Sequence, residues 1–88
     1  MYYVYILATR DIERDLYIGY THDLERRMEE HKENQSGYTQ DWKWHLAYYE
    51  AYKDEEDARE REKQLKRDGR SKHWLKRRIE NSLDDITK

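Results

Sequence analysis

Short segments near the start of the chain alternate aromatic and aliphatic residues in the way of β-strands. Residues 2–8 and 15–20 are rich in tyrosine, valine, isoleucine and leucine, which favour strands. A third segment of this kind covers residues 46–52. Strands that follow one another in sequence usually pair antiparallel. The pattern therefore predicts a small, mainly antiparallel sheet of three strands.

Three other segments have the periodicity of amphipathic helices. The first runs from about residue 23 to residue 33, and the second begins after Asp54, a residue type that caps helices. Gly69 is expected to end the second helix in the left-handed conformation. Ser71 is then expected to cap a third helix that carries the apolar residues of 74–83. The order ββαβαα predicts an α+β fold in which helices flank the three-stranded sheet.

The chain of 88 residues has the length of one domain. We assign residues 1–83 to that domain and expect residues 84–88 to form a frayed tail. No apolar run is long enough to cross a bilayer, and no charged start precedes an apolar stretch. We therefore expect a cytoplasmic protein without a membrane partner. The absence of cysteine excludes disulfides and thiolate metal sites.

Charged residues interrupt the apolar faces of the first two helices. On the first helix one face carries Leu24, Arg27, Met28 and His31. A guanidinium on a buried face needs an anion or a partner, because burying an unpaired charge is unfavourable. On the second helix the inward positions are Ala58, Glu62 and Leu65. Glu62 thus stands where a leucine would be expected.

The first two strands place tyrosines beside these charges. With a period of two, Tyr3 and Tyr5 share one face of the first strand, and Tyr17 and Gly19 share one face of the second. Because Gly19 has no side chain, it leaves space beside Tyr17 for another group to approach. The alternative interpretation is ordinary strand propensity, since tyrosine is a good strand residue.

Positive charge is concentrated in residues 59–78. The whole chain has a net charge of −2, whereas this segment has ten basic and three acidic residues, a net charge of +7. Such a segment is either a phosphate-binding surface or a solvated helical face with local ion pairs. Its candidate nucleic-acid-binding residues are Arg59, Lys63, Lys66, Arg67, Arg70 and Lys72. We expect Trp42, Trp44 and Trp74 in the core, the alternative being stacking on unpaired bases.

Together these residues resemble the GIY-YIG nuclease superfamily, especially its short single-domain members, over residues 2 to about 80. Tyr3-Val4-Tyr5 stands where the family has Gly-Ile-Tyr, and Tyr17-Ile18-Gly19 reproduces the second motif. Arg27, eight residues after that motif, matches the family's phosphate-binding arginine, and His31 matches a histidine that often follows. The run Ala58-Arg59-Glu60-Arg61-Glu62 looks like the second-helix motif, whose glutamate binds metal.

The resemblance implies an endonuclease domain that hydrolyses DNA phosphodiester bonds with one divalent metal ion. Its candidate catalytic residues are Tyr5, Tyr17, Arg27, His31 and Glu62, and Glu62 is the candidate ligand of Mg²⁺ or Mn²⁺. Arg27 would hold phosphate oxygens, and Tyr5 or Tyr17 would orient or deprotonate the attacking water. His31 would relay the proton or hold a tyrosine hydroxyl. Branched and single-stranded DNA are among the candidate substrates.

Two other functions remain open from the sequence. One is a non-catalytic module that binds nucleic acid through the basic segment 59–78. The other is an inactive scaffold, natural or redesigned, that keeps the fold without turnover. For Arg27 and Glu62 the corresponding alternative is a buried ion pair without chemistry.

Overall fold

The computed structural model describes residues 1–8, 16–35 and 44–87, with all of their side chains except those of residues 33–35, 72 and 85–87. The elements in these ranges are β1 (Tyr2–Ala8), β2 (Leu16–Thr21), α1 (Leu24–Gln35), β3 (His45–Tyr52), α2 (Glu55–Arg67), α3 (Gly69–Arg78) and α4 (Glu80–Thr87). The predicted α+β fold and the order ββαβαα are confirmed. The predicted third helix is divided at Ile79 into α3 and α4.

The sheet has the strand order β2-β1-β3, and both pairings are antiparallel. In the central strand, Tyr5 lies opposite Gly19 of β2 and Tyr49 of β3. The pairing of β1 with β3 shifts between Ile6 and Leu7, an irregularity of the bulge type. Directly opposite residues share a face, so this register decides which side chains meet.

One face of the sheet carries the hydrophobic core. Alternate residues of β1 form one buried cluster there with apolar residues of α2 and of the segment from α3 to α4, because helices with one apolar stripe bury that stripe on a sheet. The buried residues of this cluster are Val4, Ile6, Ala8, Ile18, Ala58, Leu65, Leu75, Ile79 and Leu83. Tyr5 and Leu7 are buried on the opposite face. That second face, beside α1, carries the candidate site.

Aspartates fix the beginnings of the helices. Asp23 accepts a hydrogen bond from the amide of Arg26 at 3.2 Å, and Asp54 caps α2 by accepting from the amide of Glu56 at 2.8 Å. Both are the bonds that an N-cap side chain makes. The predicted cap of α2 is therefore confirmed.

The junction of α2 and α3 differs from the prediction at two residues. Gly69 is the first residue of α3 and does not adopt a left-handed conformation. Asp68, with φ −102° and ψ 107°, ends α2, and its carboxylate accepts from the amide of Arg70 at 2.9 Å. The hydroxyl of Ser71 donates to the same carboxylate at 3.2 Å. Asp68 rather than Ser71 caps α3, because an extended residue with an acceptor side chain can join two helices without a positive φ.

Helix α4 continues to Thr87, beyond residue 83, where the predicted domain ends and the predicted tail begins. That division, after residue 83, stays a prediction. In the described ranges no helix combines the length and the apolar character needed to cross a membrane. Trp42 lies outside the described residues.

Candidate active site

Tyr5 is at the centre of the site and is fully buried. Its ring crosses β2 at Gly19, the residue opposite to it in the sheet. A Cβ atom built on Gly19 would lie 2.8 Å from Cε2 of Tyr5 and nearer still to Cζ and the hydroxyl oxygen, which is too close for real atoms. The space that Gly19 leaves beside Tyr17 is thus filled by the Tyr5 ring.

Two side chains of α1 bind the hydroxyl of Tyr5. The Nε of Arg27 donates to the Tyr5 oxygen at 3.2 Å, and Nε2 of His31 lies 3.1 Å from the same oxygen. Residues four apart lie on the same side of a helix, so both reach one point of the sheet. The face predicted for Arg27 and His31 is the one that the structure has.

Tyr17 forms the open side of this cluster. Its ring centroid lies 6.3 Å from that of Tyr5 and 5.7 Å from that of His31. The ring of Trp44 packs edge-on against that of Tyr17, with the ring centroids 6.1 Å apart. Tyr17 is 40% exposed, whereas Tyr5 is buried. Of these two phenols, Tyr17 is therefore the one that a ligand reaches first.

Burial determines the protonation of Tyr5 and His31. It raises the pKa of Tyr5, although the hydrogen bond from Arg27 acts in the opposite direction. Burial also lowers the pKa of His31, and the positive charge of Arg27 lowers it further. At neutral pH the phenol is protonated and the imidazole is neutral. Since the Tyr5 oxygen already accepts from Arg27, its proton is available for Nε2 of His31.

Arg27 is held as a permanent cation. Hydrogen bonds to Tyr5 and Glu30 raise its pKa above the ordinary value of an arginine. The bond to Glu30 joins Nη1 to Oε2 at 2.9 Å, and the same carboxylate forms an ion pair with Nε of Arg26 at 3.3 Å. The partner of Arg27 is thus a neighbour on its own helix. Glu30 was missed in the sequence, although its spacing of three and four residues from two arginines could have indicated it.

Glu62 occupies the inward face of α2, between the buried residues Ala58 and Leu65. Its side chain is 22% exposed, and its Oε2 lies 3.1 Å from Nζ of Lys66. After burial and the charge of Tyr17, its negative charge is the smallest of the causes that raise the pKa of Tyr5. The ion pairs are therefore Arg27–Glu30 and Glu62–Lys66, and not Arg27–Glu62.

Glu62 is a single carboxylate, a type of ligand that a hard divalent cation accepts. In the part of the chain that the structure describes, no group of three or more His, Asp or Glu side chains converges as a metal site. Mg²⁺ keeps most of its waters and is commonly bound by one or two carboxylates together with substrate phosphate. A half-buried carboxylate that already binds an ammonium group is a donor of this type.

Two of the predicted nucleic-acid-binding residues pair with acidic residues of their own helix, α2. Arg59 donates to Glu55 at 2.9 Å and lies 4.8 Å above the ring of Tyr20, and Lys66 pairs with Glu62. Three other predicted residues, Lys63, Arg67 and Arg70, are exposed. The side chain of Lys72 lies outside the described residues.

The core position expected for Trp74 is wrong. Its side chain is 65% exposed, because the buried stripe of α3 and the turn after it is centred on Leu75 and Ile79. Trp74 precedes Leu75 by one residue, which is about 100° around the helix axis. Trp44 is partly buried beside Tyr17.

The fold is of the nuclease type. It places tyrosines on two adjacent strands and charged residues on α1 and α2. The chain belongs to the GIY-YIG family, since the family model described as the GIY-YIG catalytic domain matches residues 1–78. Nucleases of this family act on nucleic acids and generally use divalent metals. Neither the curated proteins nor the solved structures include a significant match to the chain.

Proposed function

We propose that this chain is an endonuclease domain that hydrolyses DNA phosphodiester bonds with one divalent metal ion, Mg²⁺ or Mn²⁺. The observation that carries the proposal is the position of the Tyr5 hydroxyl, 3.2 Å from Nε of Arg27 and 3.1 Å from Nε2 of His31. The hydroxyl of Tyr5 therefore contacts both a positive side chain, Arg27, and a neutral base, His31. Such an arrangement can transfer a proton next to a bound phosphate.

Arg27 binds the scissile phosphate in this proposal. Its guanidinium is always charged and presents several donors in one plane, which suits phosphate oxygens. Nε is used by Tyr5 and Nη1 by Glu30, and the side chain is 40% exposed. A phosphate therefore approaches from the solvent side and takes over the donors that Glu30 holds. Such donors stabilise the charge that develops in the transition state.

Tyr5 and His31 carry the proton. In this proposal, as the attacking water bonds to phosphorus and the bond between phosphorus and the leaving oxygen breaks, a proton of the water passes to the Tyr5 oxygen. Tyr5 releases its own proton to Nε2 of His31, and the leaving oxygen takes a proton from solvent. This transfer needs no phenolate at any stage, which agrees with the raised pKa of Tyr5 and the lowered pKa of His31. The exposed Tyr17 orients the water or the phosphate on the open side.

Glu62 would hold the metal ion. When bound, the ion would supply a Lewis acid that stabilises the negative charge developing on the phosphate. Glu62 would bind the ion from α2, whereas Arg27, the proposed phosphate ligand, lies on α1.

Cleavage assays on labelled branched, single-stranded and duplex DNA test the proposal, with Mg²⁺, Mn²⁺ or a chelator. Glu62→Gln and Arg27→Ala should each lower the rate by about 10²–10³-fold, and the chelator should abolish it. Glu60→Gln, on the exposed side of α2, is the matched control and should cleave as the parent does.

Circular dichroism and urea unfolding show whether each variant keeps the fold. The proposal is wrong if the folded parent cleaves none of these substrates at high protein concentration with either metal. It is also wrong if Glu62→Gln cleaves as fast as Glu60→Gln.

A second candidate function is binding of nucleic acid without cleavage, through the basic segment 59–78. The feature that favours it is α3, which has five basic residues and no acidic one. It predicts binding that weakens steeply with salt, needs no metal and survives Glu62→Gln. Binding that is equal at low and high salt would exclude this candidate.

A further inference from the structure

We propose that Trp74 and Arg77 on α3 form a stacking platform for an unpaired base of a single-stranded nucleic acid. The inference rests on nucleic acid being the ligand, as the proposed function has it, and adds a substrate class. It concerns binding alone and requires neither cleavage nor the residues around Tyr5.

The first observation is the exposure of Trp74 on an otherwise anchored helix. Its side chain is 65% exposed, whereas the next residue, Leu75, is buried in the core. The core contacts of Leu75 and Ile79 fix the orientation of α3, so the indole is presented to solvent by a rigid element. A single exposed aromatic residue is common on protein surfaces. The residues around Trp74 must therefore show whether it has a binding role.

The second observation is the position of Arg77. Its guanidinium carbon lies 5.7 Å from the centroid of the Trp74 ring, within the range of a cation–π contact. Residues three apart in a helix are neighbours, so the contact belongs to α3 alone. An aromatic face with an adjacent guanidinium is the combination on which bases stack in single-strand binding proteins.

The third observation is the charge around the indole. Trp74, Leu75, Arg77 and Arg78 line a groove together with Arg61 and Ser71. Arg61 is already bonded to Glu50, so its charge is compensated within the protein. Arg77 and Arg78 stand on a helix that has no acidic residue. The groove therefore combines an aromatic wall with a positive rim, which complements a base joined to phosphate.

A single strand fits this surface better than a duplex does. Stacking on the exposed indole needs a base whose face is free, and in a duplex both faces of each internal base are covered by its neighbours. Stacking of one base on an aromatic side chain accounts for about 5- to 150-fold in affinity. The phosphate contacts of the neighbouring arginines, in contrast, serve single and double strands alike.

Fluorescence anisotropy of a labelled oligothymidine and of a blunt duplex of the same length tests the inference. The full chain is used with a chelator, so that cleavage is excluded. Trp74→Ala should weaken binding of the single strand by about tenfold and leave binding of the duplex unchanged. Trp74→Phe, which keeps an aromatic face, should restore most of the loss, whereas Trp74→Leu should not.

The salt dependence separates stacking from charge. Trp74→Ala removes no phosphate contact, so the slope of log affinity against log salt should stay the same. Arg77→Ala should make that slope less steep, by about the amount that one phosphate contact contributes. Urea unfolding of each variant checks that α3 stays folded.

The inference is overturned if Trp74→Ala weakens both nucleic acids equally, if it weakens neither, or if Trp74→Leu binds as the parent does. It is also overturned if the parent forms a dimer that Trp74→Ala disrupts while binding of the single strand is unchanged, because a second copy would then be the occupant. Failure to cleave DNA, in contrast, contradicts only the proposed function.

Discussion

The carboxylate of Glu50 on β3 accepts four hydrogen bonds from side chains of the described residues, and a change at this residue tests the fold directly. Its carboxylate accepts from Nε and Nη2 of Arg61 at 2.9 and 3.2 Å. It also accepts from the hydroxyl of Tyr48 at 2.7 Å and from that of Tyr52. The side chains of Glu50 and Arg61 are only 16% and 27% exposed. The variant Glu50→Gln keeps the shape and removes the charge.

The expected loss of stability follows from these contacts. Removing one partner of a fully buried ion pair costs about 3–5 kcal/mol, because the other charge stays buried. Arg61 is partly exposed, so water compensates some of that loss, and we expect about 2–3 kcal/mol for Glu50→Gln. For a domain of this size the melting temperature should fall by about 10–20 °C.

The pH dependence of stability is a second readout of the same contacts. Burial by itself raises the pKa of Glu50, but the hydrogen bonds from Arg61, Tyr52 and Tyr48 outweigh it and lower the pKa below 4.5. A carboxyl whose pKa is lower in the folded state stabilises the fold above its unfolded pKa, and this stability is lost as the pH falls through the folded pKa. Glu50→Gln should therefore flatten the curve of unfolding free energy below pH 4.5.

Urea unfolding at several pH values measures both effects. The matched control is Glu55→Gln, which removes the exposed ion pair with Arg59, and exposed pairs contribute little. The reasoning is refuted if the free energy of unfolding of Glu50→Gln lies within about 0.5 kcal/mol of that of the parent. It is refuted as well if the variant loses no more stability than the control does.

Two further changes test the neighbourhood of Tyr5. Gly19→Ala places a Cβ against the Tyr5 ring and should cost about 1–3 kcal/mol in urea unfolding. Gly69→Ala, where a Cβ meets nothing within 4 Å, should leave stability equal or higher, and equal losses in the two variants would contradict this account. Lys66→Met removes the ammonium that binds Glu62 and should lower the half-saturating Mg²⁺ concentration by about two- to fivefold. An unchanged or higher Mg²⁺ requirement in cleavage assays would exclude competition by the lysine.

Periodicity in the sequence was enough to predict the parts of the site that lie within one element. Arg27 and His31 are four residues apart, and they reach the same hydroxyl because a helix repeats every 3.6 residues. Glu62 lies between Ala58 and Leu65 on one stripe for the same reason. Both the inward arginine and the inward glutamate are thus local properties of their helices.

Contacts between elements could not be predicted in this way. The position of Tyr5 over Gly19 depends on the register of β1 and β2, which alternation within each strand leaves open. The bonds of Arg61 to Glu50 depend on how α2 packs on β3. Trp74 was expected in the core because of its residue type, whereas its exposure follows from the rotation of α3 about its axis.

Arg61 and Glu62 are consecutive in α2, so the two networks they belong to cannot move independently. Arg61 is fixed to β3 through Glu50, while Glu62 lies on the inward face of α2 between Ala58 and Leu65. Consecutive residues are about 100° apart around a helix, so a helix that rotated to release Arg61 would also turn Glu62 away from the site. The bonds of Arg61 to Glu50 therefore also fix the orientation of Glu62, the carboxylate on which the proposed metal binding depends.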